Sequence, residues 1–230
     1  MYNTKIVDKQ KMGDQVLNIL RRRIMLGEIK AGTHLKETVL SKEFGISRGP
    51  IREAMVQLEN EGLVSTPPNG RTTVEGFSEK DIENLYNLRI NIEKYAISQL
   101  TPEAIEKGEA ELMQYVDVMS AALERGEREV EGDLSFHFLL VKLTENKSLI
   151  QAWKALSGLI KTLIQVTTDF TMAKQIVVIE EHTSMVQWLK SQEIEKAQKE
   201  LEQHLLAARE FYKSAVIQLR EDDITSDEKN

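Results

Sequence analysis

Asp133 and His137 stand four residues apart in Asp133-Leu134-Ser135-Phe136-His137, and His182 and His204 follow downstream. A spacing of four puts two side chains on one face of a helix. One carboxylate and three imidazoles make a sound donor set for a divalent ion such as zinc, nickel, iron or manganese. An open coordination position could then take a carboxylate ligand. The spacing alone is not specific, because Asp-x-x-x-His pairs are common and scattered histidines mostly serve the surface or a satisfied core. Nothing in the spacing computes where His182 and His204 fall.

Arg48 and Arg52 are also four apart and follow Ser47 directly. An arginine fork can pair with guanine O6 and N7 or hold a phosphate with two hydrogen bonds. A helix N-terminus itself suits a phosphate. Two arginines at a helix start are as readily plain solvated charge, and Arg21-Arg22-Arg23 reads as a solvated helix face.

The elements that would position these residues are legible. Residues 12–26 place Val16, Leu17, Leu20, Ile24 and Met25 at helical spacing, Gly27 closes that helix, and Ala31-Gly32-Thr33 reads as a turn. A short helix from about Glu37 to Phe44 is broken by Gly45. A third runs from Arg48 to Asn60, with Ser47 as N-cap and Pro50 tolerated in its first turn. Two β-prone pieces, 63–66 and 71–74, flank Pro67-Pro68-Asn69-Gly70, a hairpin signal. Beyond Gly76 the texture changes to helical periodicity with a single proline, Pro102. Helices are expected over 79–100, 102–125, 128–144, 147–169, 171–190 and 192–219, and residues 221–230 read as a disordered acidic tail. The fold class is therefore mainly α: a winged helix-turn-helix with a short β-hairpin over 1–76, then an antiparallel all-helical bundle over 77–220.

Charge divides at the same place. The whole chain carries a net −7, but residues 1–76 carry +3 and residues 77–230 carry −10. A mildly basic end beside a strongly acidic one suggests two jobs. The chain has no cysteine, which excludes disulfides, thiolate metal ligands and cysteine nucleophiles. No apolar run reaches about 18 residues and the first residues lack a secretory core, so no membrane span and a cytoplasmic location are expected.

In a winged helix-turn-helix the third helix enters the major groove. The run from Leu35 to Ala54, with Ser47-Arg48-Gly49-Pro50-Ile51-Arg52 inside it, resembles the second and third helices of the GntR family of bacterial regulators, and Leu58-Glu59-Asn60-Glu61-Gly62-Leu63-Val64 continues the match. The resemblance covers residues 11–76. It implies DNA contacts by Ser47, Arg48, Gly49 and Arg52 and a wing tip at Gly70, with Asn69 and Arg71 beside it. Thr38 stands where some members carry a further DNA-reading arginine. Residues 78–220 resemble the FCD ligand-binding domain of the FadR subfamily, in its six-helix VanR-like variant. That resemblance implies a metal held by Asp133, His137, His182 and His204. It also places Arg89 where a guanidinium could take a ligand carboxylate, against the alternative of a helix-surface Arg89–Glu93 pair.

The expected function is a ligand-responsive transcription regulator and repressor rather than an enzyme. It would bind a near-palindromic double-stranded operator as a homodimer and sense a small carboxylate effector at the metal site. The competing class is a metal-dependent enzyme using the same Asp/His set, but no general base is recognisable beside it.

Overall fold

The computed structural model describes residues 4–68, 70–168 and 175–227. The chain clusters into two units, residues 1–79 with 219–230, and residues 80–218.

In the first unit α1 (Thr4–Met25) and α3 (Arg48–Asn60) pack on each other, and α2 (Glu37–Glu43) packs on α3. Leu20, Ile24, Ile51 and Leu58 are the buried centre, as their helical spacing predicts. Arg21 departs from the expected solvated face. It is buried and grips the Glu61 carboxylate through Nε and Nη2, both at 2.7 Å, so it ties α1 to the end of α3. Arg22 and Arg23 are paired with Glu28 and Glu43. The hairpin pairs β1 (Val64–Ser65) antiparallel to β2 (Thr73–Val74), with Val64 opposite Val74. The segment read as a turn at 31–33 also feeds this sheet, because Thr33 O accepts from Val74 N and Leu35 N donates to Thr72 O.

Six helices follow among the described residues: α4 (Glu79–Ser98), α5 (Pro102–Glu124), α6 (Val130–Lys142), α7 (Lys147–Val166), α8 (Gln175–Lys190) and α9 (Ile194–Asp227). They form the expected helical bundle, with α5 packed against α6 and α8, and α6 against α7. Thr101 caps α5, with Pro102 in its first turn, and Asn146 caps α7. The sequence reading ends the last helix at 219, but the helix runs to Asp227, so the acidic segment from Glu221 is helical that far. Residues 220–227 contain neither glycine nor proline, and extending a formed helix costs little. Residues 228–230 lie outside the described residues. No helix among those described is long and apolar enough to cross a membrane.

Candidate metal centre and nucleic-acid interface

Helix α6 carries Asp133 and His137 one turn apart, α8 brings His182 and α9 brings His204. All four are buried, and one ligand atom from each lies within 4.8 Å of the others. The three imidazole centroids are 4.8–5.3 Å apart, and His182 Nε2 is 3.6 Å from Asp133 Oδ1. Close packing seats α6 here: a Cβ on Gly132 would meet Glu129 Cγ at 2.9 Å and Met119 Cγ at 3.4 Å.

Each imidazole is oriented from behind. His137 Nδ1 donates to Glu93 Oε2 at 2.6 Å, His182 Nδ1 to the Val178 carbonyl at 2.7 Å, and His204 Nδ1 to Glu181 Oε2 at 2.7 Å. A proton fixed on Nδ1 leaves Nε2 with its lone pair, which is the form that binds a metal. The Nε2 atoms of His137 and His182 are buried with no hydrogen-bond partner. Burial keeps both neutral: it pulls the His137 imidazole below its usual value, and it pulls His182 well below, helped by His204 and His137. Burial alone would raise the Asp133 carboxyl, but His137, His182, Arg89 and Arg128 outweigh it and hold it at about 2. Metal–ligand bonds of about 2.0–2.2 Å place ligand atoms roughly 3–4.4 Å apart. A contraction of a few tenths of an ångström would therefore close this set on an ion, and the residues fit one.

A cavity of about 310 Å³ opens beside the cluster, lined by Asp133 and His204 together with Tyr86, Arg89, Arg128 and Gln175. Arg89 answers both sequence readings. It does pair with Glu93, Nε to Oε1 at 2.7 Å, but the pair is buried and not on a helix surface. Its Nη2 is buried without a well-formed hydrogen bond. Glu93 is a hub, since Oε1 also accepts from Trp153 Nε1 at 2.8 Å while Oε2 takes the His137 proton.

In the first unit Ser47, Arg48, Gly49 and Arg52 are exposed at the start of α3, while Ile51, Met55 and Leu58 face the core. Ser47 occupies the N-cap position, yet its hydroxyl makes no capping bond, contrary to the cap expected of it. Arg52 is not simply solvated: Nε and Nη2 hold the Glu37 carboxylate at 2.8 and 2.9 Å. Gly70 adopts φ +75 and donates to the Pro67 carbonyl, closing the tip of the hairpin with Arg71 exposed beside it. Asn69 lies outside the described residues.

Two family profiles match this architecture. That of the bacterial regulatory proteins of the gntR family covers residues 12–74, and that of the FCD domain covers 84–207, more than half of the chain. The HTH-type transcriptional regulator YdhC of Bacillus subtilis (strain 168) is 30% identical over 198 residues, 84% of this chain and 85% of that protein. The chain belongs to the GntR family of transcription regulators. The gluconate operon transcriptional repressor of Bacillus subtilis is 24% identical, over 84% of this chain and 82% of its own length. A GntR-type regulator from Rhodococcus sp. RHA1 shares the fold, with a TM-score of 0.60, 21% identity, and coverage of 87% of this chain and 96% of that one. The family and the relatives are regulators, so the enzyme reading of the Asp/His set falls away.

Sequence reasoning about this GntR regulator missed Glu93 as an organiser, and missed Tyr86, Arg128, Gln175 and Glu181 around the cavity. Glu93 carried a signal, being four residues after Arg89. Arg128 and Gln175 carried none, because only the folded bundle brings the start of α6 and the start of α8 to one cavity.

Proposed function

We propose that this regulator is a homodimeric, metal-dependent repressor, active in the cytoplasm, whose effector is a small carboxylate bound in the cavity beside Asp133 and His204. The observation that carries the reading is the pair of buried, partnerless Nε2 atoms on His137 and His182, facing a buried Asp133 carboxylate. Two such lone pairs cost free energy unless something accepts them. A divalent ion bound by Asp133, His137, His182 and His204 would offer positive charge and an open position to a ligand carboxylate. Arg89 would hold that carboxylate through its unused Nη2, with Glu93 keeping the guanidinium charged and in place. The repressor role is supported by the relatives' names, including the gluconate operon repressor.

At the other end Ser47, Arg48, Gly49 and Arg52 would read the major groove from the start of α3, with Asn69, Gly70 and Arg71 near the minor groove. A dimer would place two such helices in the half-sites of a near-palindromic operator. The ligand would act by shifting the population between DNA-competent and incompetent arrangements. The test is elemental analysis of protein purified without chelator, beside His182→Ala. About one divalent ion per chain, lost in the variant, is the expected result. No metal in either sample after zinc or nickel is added would overturn the metal site while leaving the DNA-binding role intact.

A further inference from the structure

The cavity beside the Asp/His cluster has a second cationic wall that the effector reading above does not use. Arg128 lies in the short stretch between α5 and α6, ahead of the Glu129 cap. Its Nη2 donates to the Tyr212 hydroxyl at 3.0 Å, a neutral partner, and its Nη1 is buried with no partner at all. Among the described residues no carboxylate lies within ion-pair distance of it, and Asp133 feels its charge only from farther away. Gln175 Nε2 is likewise buried and partnerless, and Arg89 Nη2 and the Tyr86 hydroxyl, which interact with each other, have no well-formed hydrogen bond; all four residues line the same cavity.

Buried N–H and O–H groups without well-formed hydrogen bonds are costly, and four around one space are a built demand for oxygen atoms. The two guanidiniums come from different elements, α4 and the α5–α6 connection, so one carboxylate on the metal and Arg89 leaves Arg128 unanswered. Net charge does not carry this second anchor: without an ion the two guanidiniums only balance the buried carboxylates of Glu93 and Asp133, and Glu181 also lines the cavity while accepting the His204 proton. The partnerless N–H groups and their placement on two walls carry it. The volume of about 310 Å³ is at the lower end of small-ligand sites, which suits a small acid.

We propose that the effector is a small diacid, one carboxylate held on the side of Arg89 and the metal centre and the second by Arg128 with Gln175. This rests on the carboxylate-effector reading above but not on the metal, since neither guanidinium needs the ion to be in place. The experiment is calorimetric titration of the full chain with malonate, succinate, glutarate and adipate, each against the monocarboxylate of equal carbon count. It is run on zinc-loaded and on chelator-stripped protein, with zinc content measured on the same samples.

At least one diacid should bind about ten- to a hundredfold tighter than its monoacid, in both preparations. In Arg128→Gln that gap should close while monoacid affinity stays within about twofold, which also shows that the variant is folded. Arg128→Lys, which keeps the charge and loses the fork, should keep part of the gap. Equal binding of diacids and monoacids by the unmodified protein would overturn the proposal. So would an Arg128→Gln variant that weakens both classes equally. Failure to take up zinc, with the diacid preference intact, would count against the metal centre and not against this second anchor.

Discussion

The molecule contains the same arginine–glutamate contact in two very different settings. Arg52–Glu37 in the first unit and Arg89–Glu93 in the second are both close ion pairs, at 2.8 and 2.7 Å. The side chains of the first are 67% and 28% exposed, and those of the second 2% and 0%. Water and salt screen the first pair and let it exchange partners. The second has no such alternative, and its geometry is fixed by His137, Trp153 and the cavity wall. In the proposed roles, Arg52 must be released to DNA, whereas Arg89 must be held ready for one ligand. Exposure, more than residue type, separates the two tasks.

The sharpest way to break this comparison is to remove the acid from each pair. Glu93→Ala would leave a buried guanidinium uncompensated and three N–H groups, on Arg89, Trp153 and His137, without acceptors. Breaking a buried pair in this way costs about 3–5 kcal/mol. Glu37→Ala should leave the melting temperature unchanged, because exposed pairs contribute little. It should also tighten operator binding a few-fold, by freeing the Arg52 fork and removing a negative charge near the DNA face. Denaturant unfolding and operator titration of both variants read this directly. Equal stability losses in the two would erase the distinction drawn from burial.

Acid should distinguish the units next. His137 and His182 titrate below their ordinary value in the folded chain because burial disfavours their charged forms. On acidification the unfolded chain therefore binds protons first. Stability is complete above about pH 6.5 and falls as the pH drops below it. With two such groups the slope reaches at most about 2.7 kcal/mol per pH unit. Zinc should move this loss to lower pH, since protons must then displace a bound ion. Unfolding of metal-free protein from pH 8 to 5 measures the slope, and a flat profile would mean that the imidazoles are hydrated or charged in the folded state.

The units also differ in how much the sequence disclosed. The reading head is a contiguous run from Leu35 to Val64, so its residues are neighbours in the chain as well as in space, and helix spacing placed them. The Asp/His cluster needs α6, α8 and α9 together; spacing joined only Asp133 to His137. His182 and His204 came from family resemblance, because long-range packing is not written in periodicity. The partners behind the ligands were harder still. Glu93 stood in view beside Arg89, but its burial did not, and burial turns a surface pair into the support of a pocket. Arg21 misled for the same reason: a run of three arginines looks solvated until Glu61 arrives from α3 to bury one of them.

At the reading head Arg48→Ala should weaken operator binding about five- to a hundredfold with the melting temperature unchanged. Arg52→Ala should do the same less severely, since Glu37 already competes for that side chain. Operator affinities equal to the parent's in both variants would remove α3 as the reader.

The smallest effect is the most discriminating. Gly49 lies in the first turn of α3, exposed, without a positive φ, and a Cβ there would meet nothing within 4 Å. The fold has no use for a glycine at this position, and glycine costs helix stability relative to alanine. Gly49→Ala should therefore leave the protein equally stable or stabilise it by up to about 1 kcal/mol. If the bare backbone serves close approach to the DNA, the same methyl group should weaken operator binding while the fold gains. Stability and affinity moving in opposite directions cannot come from damage to the fold. A variant that is more stable and binds its operator as well as the parent would show that Gly49 touches nothing, and would narrow the reading surface to Ser47 and the two arginines.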